Sequence, residues 1–132
     1  MRRRLEEARV ARLATVDPVE RPHLVPITFA LVEDLIVTAV DEKPKRTRKL
    51  QRLENVRMNP LVTVLVDHYD EDWSRLWWVR VRGDAEVHED GPERARALEA
   101  LAAKYPAYRD RPPRGPAILI EAQDWLGWSA AG

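Results

Sequence analysis

Apolar and polar residues alternate most cleanly from Leu76 to His88. Trp77, Val79, Val81, Gly83, Ala85 and Val87 fall on one side, and Trp78, Arg80, Arg82, Asp84, Glu86 and His88 on the other. A period of two over that length predicts a strand. Shorter β-branched runs predict further strands at Val10–Val16, His23–Val32, Leu35–Val40, Leu61–Val66 and Ala117–Ala122, bounded by Asp-Pro, Arg-Pro and Glu-Asp turn chemistry. Pro26 cannot donate to a ladder, which predicts an edge or a bulge for the second run. The first three strands, joined by short turns, read as a meander. Leu61–Val66 is nearly continuous in apolar character and reads as a strand buried on both faces.

Helical spacing is rarer. A short N-terminal helix is expected around Leu5 to Ala8. A second is expected from near Pro44, with Leu50, Leu53 and Val56 on one stripe and Asn59-Pro60 as its stop. Asp90-Gly91-Pro92 opens a third that runs to about Lys104 and carries Leu98, Leu101 and Ala102 on one side. The expected fold class is mainly β with two or three helices: about six mostly antiparallel strands in a closed or nearly closed barrel, since closure removes exposed edges.

A chain of 132 residues, 15.3 kDa, fits one domain spanning residues 1–132, too small for separate cofactor and substrate domains. Lys plus Arg and Asp plus Glu are equal at 22 each, so no global field favours nucleic acid or an anionic membrane. Any anion site is local. There is no cysteine, and the three histidines His23, His68 and His88 lack ligand spacing, so no metal site is expected. The acidic run from Asp67 through Asp72 lacks the glycine and spacing of a calcium loop. His68 and Tyr69 beside it are candidates for a substrate site. No apolar stretch reaches membrane-spanning length, and a cytoplasmic location is the expectation.

Candidate chemistry concentrates at Lys43-Pro44-Lys45-Arg46-Thr47-Arg48-Lys49. Cations gathered at a helix start oppose the helix dipole, at roughly 0.3–1 kcal/mol each, unless an anion binds there. A solvated, arginine-rich helix face is the other reading of the same pattern.

Together these segments resemble a known family. Ala11-Arg12-Leu13-Ala14-Thr15-Val16-Asp17 followed by Arg21-Pro22-His23-Leu24-Val25-Pro26-Ile27 is similar to the opening hairpin of split-barrel proteins related to pyridoxamine 5'-phosphate oxidase. Lys43 through Leu53, Asn59-Pro60 and Val62–Asp67 resemble that family's phosphate-binding segment, helix and next strand. Asp67-His68-Tyr69-Asp70-Glu71-Asp72-Trp73, Leu76-Trp77-Trp78-Val79-Arg80-Val81-Arg82-Gly83 and Trp125-Leu126-Gly127-Trp128-Ser129 are similar to a branch that uses the deazaflavin coenzyme F-420. One departure is the turn at Val19-Glu20, which lacks a glycine often found there.

The resemblance implies a homodimer of split barrels with cofactor grooves between the subunits. It implies an oxidoreductase passing a hydride between coenzyme F-420 and a small planar or conjugated electron acceptor. FMN is the alternative cofactor, and a non-catalytic flavin, haem or bilin carrier the alternative function. Lys43, Lys45, Arg46 and Thr47 would hold phosphate. Val25, Pro26, Ile27 and Thr28 would lie along the ring, with Thr38 in the cofactor site, and Trp77 and Trp78 would wall the groove or reach in from the partner. No side chain is assigned as catalytic. Trp125 and Trp128 read as packing anchors for the C-terminus.

Overall fold

The computed structural model describes residues 1–41 and 50–132. Its elements run α1 (Arg2–Glu7), β1 (Ala11–Val16), β2 (Pro22–Ile27), β3 (Ala30–Val32), β4 (Leu35–Ala39), α2 (Gln51–Met58), β5 (Leu61–His68), β6 (Trp77–His88), α3 (Gly91–Lys104), α4 (Pro106–Asp110) and β7 (Ala117–Ser129), with a 3-10 turn at Trp73–Arg75. The strands form one antiparallel sheet of seven in the order β2-β1-β5-β6-β7-β4-β3, curled as a split barrel and not closed.

The expected meander is not formed. The β1–β2 and β3–β4 hairpins occupy opposite edges of the sheet, because β1 takes β5 as its second neighbour and β4 takes β7. The single strand expected over His23–Val32 is two, broken at Thr28-Phe29, and this break carries the chain from one edge to the other. Pro26 does lie on an edge strand, where its missing N–H costs no ladder bond. The turn without glycine places Glu20 at φ 66, in the left-handed region, and the Asp17 carboxylate holds it there by accepting from the Val19 and Arg21 amides, both at 2.9 Å.

Two hydrophobic clusters share the sheet. Leu5, Leu13, Ile36, Leu53, Val64, Val81, Ile118 and Ile120 fill the barrel interior, with α1 and α2 closing over it. Val37, Ala39, Ala97, Leu101, Ala117 and Leu119 form a second layer between the sheet's other face and α3. β4 and the first half of β7 are therefore buried on both faces, which explains their unbroken apolar runs. β5 is not: Val62, Val64 and Val66 point inward, while Leu61 is 60% exposed on the other side.

β7 continues without interruption through Trp125 to Ser129, past the end expected at Ala122, and pairs along the whole of β6. Strands of 12 and 13 residues bend at a bulge, where Arg82 faces Asp124, Gly83 faces Ala122, and Gln123 is left over, its amide donating to Asp84 Oδ2 at 2.6 Å. Glycine is required at the bend, because a Cβ on Gly83 would strike the Glu121 carbonyl oxygen and the Ile120 side chain.

Candidate cofactor site

The ring-lining residues expected from the sequence stand at the end of β2 and just beyond it. Pro26 is exposed, Val25 packs partly into the barrel cluster, and Ile27 is buried. Thr28 follows in the break between β2 and β3, half-buried. Thr38 on β4 is buried and donates its hydroxyl to the Thr28 carbonyl at 2.7 Å, so these two predicted residues are in direct contact.

Two tyrosines from the helical segment after α3 fasten the same break. The Tyr108 hydroxyl lies 2.7 Å from Thr28 Oγ1. Tyr105 is buried, accepts from the Phe29 amide at 3.1 Å and donates to the Arg9 carbonyl at 2.9 Å. Their rings meet edge to face, 5.6 Å between centroids. Burial pushes the Tyr105 phenol above its ordinary value, partly offset by the Phe29 N–H and by Arg9. The sequence reading passed over both tyrosines; the available signal was a Tyr-Pro-Ala-Tyr step straight after a helix end.

Arg52, in the first turn of α2, was also missed as an individual site residue. It is half-buried, and burial pulls its guanidinium below the ordinary value, with Tyr108 acting the other way. Among the described residues no carboxylate pairs with it. α2 is fixed by a buried polar contact: Asn55, fully buried, donates to Thr15 Oγ1 at 3.0 Å and accepts from Gln51 Nε2 at 2.6 Å. Arg52 is thus a cation held on a pinned helix and coupled electrostatically to Tyr108, the hydroxyl partner of Thr28. A half-buried cation without a carboxylate partner is a fitting seat for an anionic group.

Lys43, Lys45, Arg46 and Thr47 lie outside the described residues. Trp77 and Trp78 lie on β6, which β1 and β5 separate from β2 in the sheet order. Trp77 packs against the barrel cluster, with the Arg4 guanidinium 4.7 Å from its ring and His68 stacked at 5.9 Å. Trp78 faces outward between Asp67 and Trp128, with Arg80 at 5.9 Å. Trp125 packs against the interior as expected of an anchor, whereas Trp128 is 45% exposed.

The outer face of β1, β5 and β6 holds an apolar cleft of about 440 Å3 lined by Ala14, Pro22, Leu61, Thr63 and Arg82. Among the described residues no group of three or more His, Asp and Glu could hold a metal ion, and no helix is long and apolar enough to cross a membrane.

A family model described as Pyridoxamine 5'-phosphate oxidase matches residues 1–129. Among solved structures, the chain is similar to a conserved hypothetical protein from Mycobacterium tuberculosis, with 21% identity and a TM-score of 0.76 over 96% of this chain and 80% of that one. It is similar to a FAD-binding protein from Mesorhizobium loti, with 22% identity and a TM-score of 0.68 over 96% and 89%. It is also similar to a heme binding protein from Mycobacterium smegmatis, with 17% identity and a TM-score of 0.70 over 93% and 53%. Identities this low speak for the fold. No curated protein matches the chain.

Proposed function

The chain belongs to the pyridoxamine 5'-phosphate oxidase family, and from that premise we propose that it is a homodimeric oxidoreductase that binds coenzyme F-420 and passes a hydride between it and a small planar or conjugated acceptor. The cofactor supplies the hydride chemistry; the protein supplies binding, orientation and exclusion of water. The observation that carries the reading is Arg52, a half-buried cation with no carboxylate partner among the described residues, coupled electrostatically to Tyr108, whose hydroxyl meets Thr28. In this reading Arg52 adds to the basic set Lys43, Lys45, Arg46 and Thr47 in holding the acidic tail. Val25, Pro26, Ile27 and Thr28 lie along the ring, and Thr38 keeps Thr28 in place. A long acidic tail matches an extended run of cations from Lys43 to Arg52, which favours F-420 over the single phosphate of FMN. Trp78 and Trp128 stand on the outward face, where a second copy would bring them to the groove.

The test is titration of the purified chain with F-420, FMN, FAD and haem, followed by fluorescence and absorbance. Tightest uptake of F-420, with oxidation of the reduced form only when an acceptor is added, is the expected result. Arg52→Ala is expected to weaken that binding about tenfold, the order of one charge-assisted contact. Uptake of haem alone, without acceptor-dependent turnover, would replace this reading by a carrier, a role consistent with the heme binding protein of similar fold.

A further inference from the structure

Tyr108 has no part in the reading above beyond its proximity, yet its placement is specific. It comes from a five-residue helix, packs against the second cluster, and spans 80 positions of sequence to put its hydroxyl 2.7 Å from Thr28 Oγ1. The Thr28 carbonyl is already taken by Thr38 at 2.7 Å. Either hydroxyl can donate in this pair; with the more acidic phenol donating, Thr28 Oγ1 accepts and its own proton is left for another acceptor. Tyr105 immobilises the neighbouring residue by accepting from the Phe29 amide, which fixes the backbone that carries Thr28. With the phenol as donor, the arrangement is a two-hydroxyl donor relay.

We infer that Tyr108 is a positioning residue of the cofactor cleft: acting through Thr28, it aims a hydroxyl proton at a carbonyl oxygen on the pyrimidinedione edge that flavins and deazaflavins share. This rests on the reading that Val25–Thr28 lies along the redox ring. A donor at that edge favours the reduced ring, where negative charge collects on the same oxygens. Relay and tail seat are distinguishable, because the edge belongs to the ring and is present when the acidic tail is removed.

For whichever of F-420 and FMN the wild-type chain takes up, affinity and the visible absorption band are measured with the cofactor and with its tail-less parent ring. Tyr108→Phe is expected to weaken both about five-fold, the scale of one hydrogen bond, and to move the absorption band. Thr28→Ser, which keeps the hydroxyl, is expected to retain more of the affinity and of the band position than Thr28→Val, which loses it. In a Thr28→Val background, which does not depend on how Tyr108→Phe folds, adding Tyr108→Phe is expected to change nothing further. Unchanged affinity and band in Tyr108→Phe would overturn the inference while leaving the cofactor reading intact. So would a loss confined to the tailed cofactor, or a full additional loss in the Thr28→Val background. A wild-type chain that takes up neither cofactor would overturn both.

Discussion

One half of the sheet is covered and the other is bare. Over β4 and the first half of β7, α3 buries Val37, Ala39, Ala117 and Leu119, and the outer face there is as apolar as the barrel interior. Over β2, β1, β5, the first half of β6 and the second half of β7 no helix covers the outer face among the described residues, and there Leu24 is 66% exposed, Leu61 60%, and Leu126 and Trp128 45% each, around an open cleft. Charges of both signs alternate across that bare face, Arg12 on β1, Asp67 on β5, Arg82 on β6 and Asp124 on β7, with Arg82 and Asp124 4.0 Å apart. An exposed apolar patch rimmed by polar and charged residues is a surface that a second chain can cover. The contrast teaches that the same strand chemistry serves an internal helix on one half and, in the proposed homodimer, a second chain on the other.

The largest effect should separate the halves directly. Leu101 is fully buried between α3 and the sheet, and Leu101→Ala is expected to cost about 3 kcal/mol, read as a lowered denaturation midpoint. Leu126→Ala, on the bare half, is expected to change the stability of the isolated chain by less than about 0.5 kcal/mol. Equal losses would erase the distinction. Next comes the polar pin inside the barrel. Asn55→Ala leaves the buried Thr15 hydroxyl without its partner and is expected to cost about 2 kcal/mol, part of which Thr15→Val in the same chain should recover. Smaller again is the effect of a charge on the bare face: Leu126→Asp is expected to weaken self-association about tenfold in sedimentation while leaving the fold unchanged. A chain that is monomeric before the substitution would remove the second-copy explanation of that face.

The bare half also explains what the sequence concealed. β6 and α3 were legible because each has one buried side and a clean period. β5 read as buried on both faces because Leu61 and Leu65 sit on its outward side, and in one chain only the inward side is covered. Trp128 was misread as an anchor for the same reason. Strand order was not legible at all: β4 finds its partner in β7, a pairing of Leu35 with Glu121 that no local pattern encodes. At the candidate site, the Thr28–Thr38 contact joins two residues assigned by resemblance. Tyr105 and Tyr108 depend on α4 being folded back against the break after β2, and Arg52 on α2 being pinned to β1, which is tertiary information.

The smallest effect sits on the covered half, at the end of α3. Lys104 Nζ is buried without a hydrogen-bond partner among the described residues, 3.9 Å from the centre of the Phe29 ring. Arg9 crowds it, lying over the Tyr105 ring at 4.6 Å and donating to the Lys104 carbonyl at 3.1 Å. Burial, then repulsion by Arg9, lowers the ammonium from 10.5 to about 8, with Glu6 acting weakly the other way. Between those values the unfolded chain binds the proton more than the folded one does, so stability is expected to rise as pH increases from about 8. Tyr105 acts in the opposite sense: its raised phenol keeps a proton that the unfolded chain loses, which lowers stability above about pH 10. The window that isolates Lys104 is therefore roughly pH 8 to 9.5, below the tyrosine range. Lys104→Met removes the buried charge at similar volume; it is expected to raise the melting temperature by a few degrees at neutral pH and to flatten the slope across that window. A variant that keeps the wild-type slope would show that the covered half tolerates its one crowded ammonium at no cost, and that Phe29 and Tyr105 shield it as well as water does.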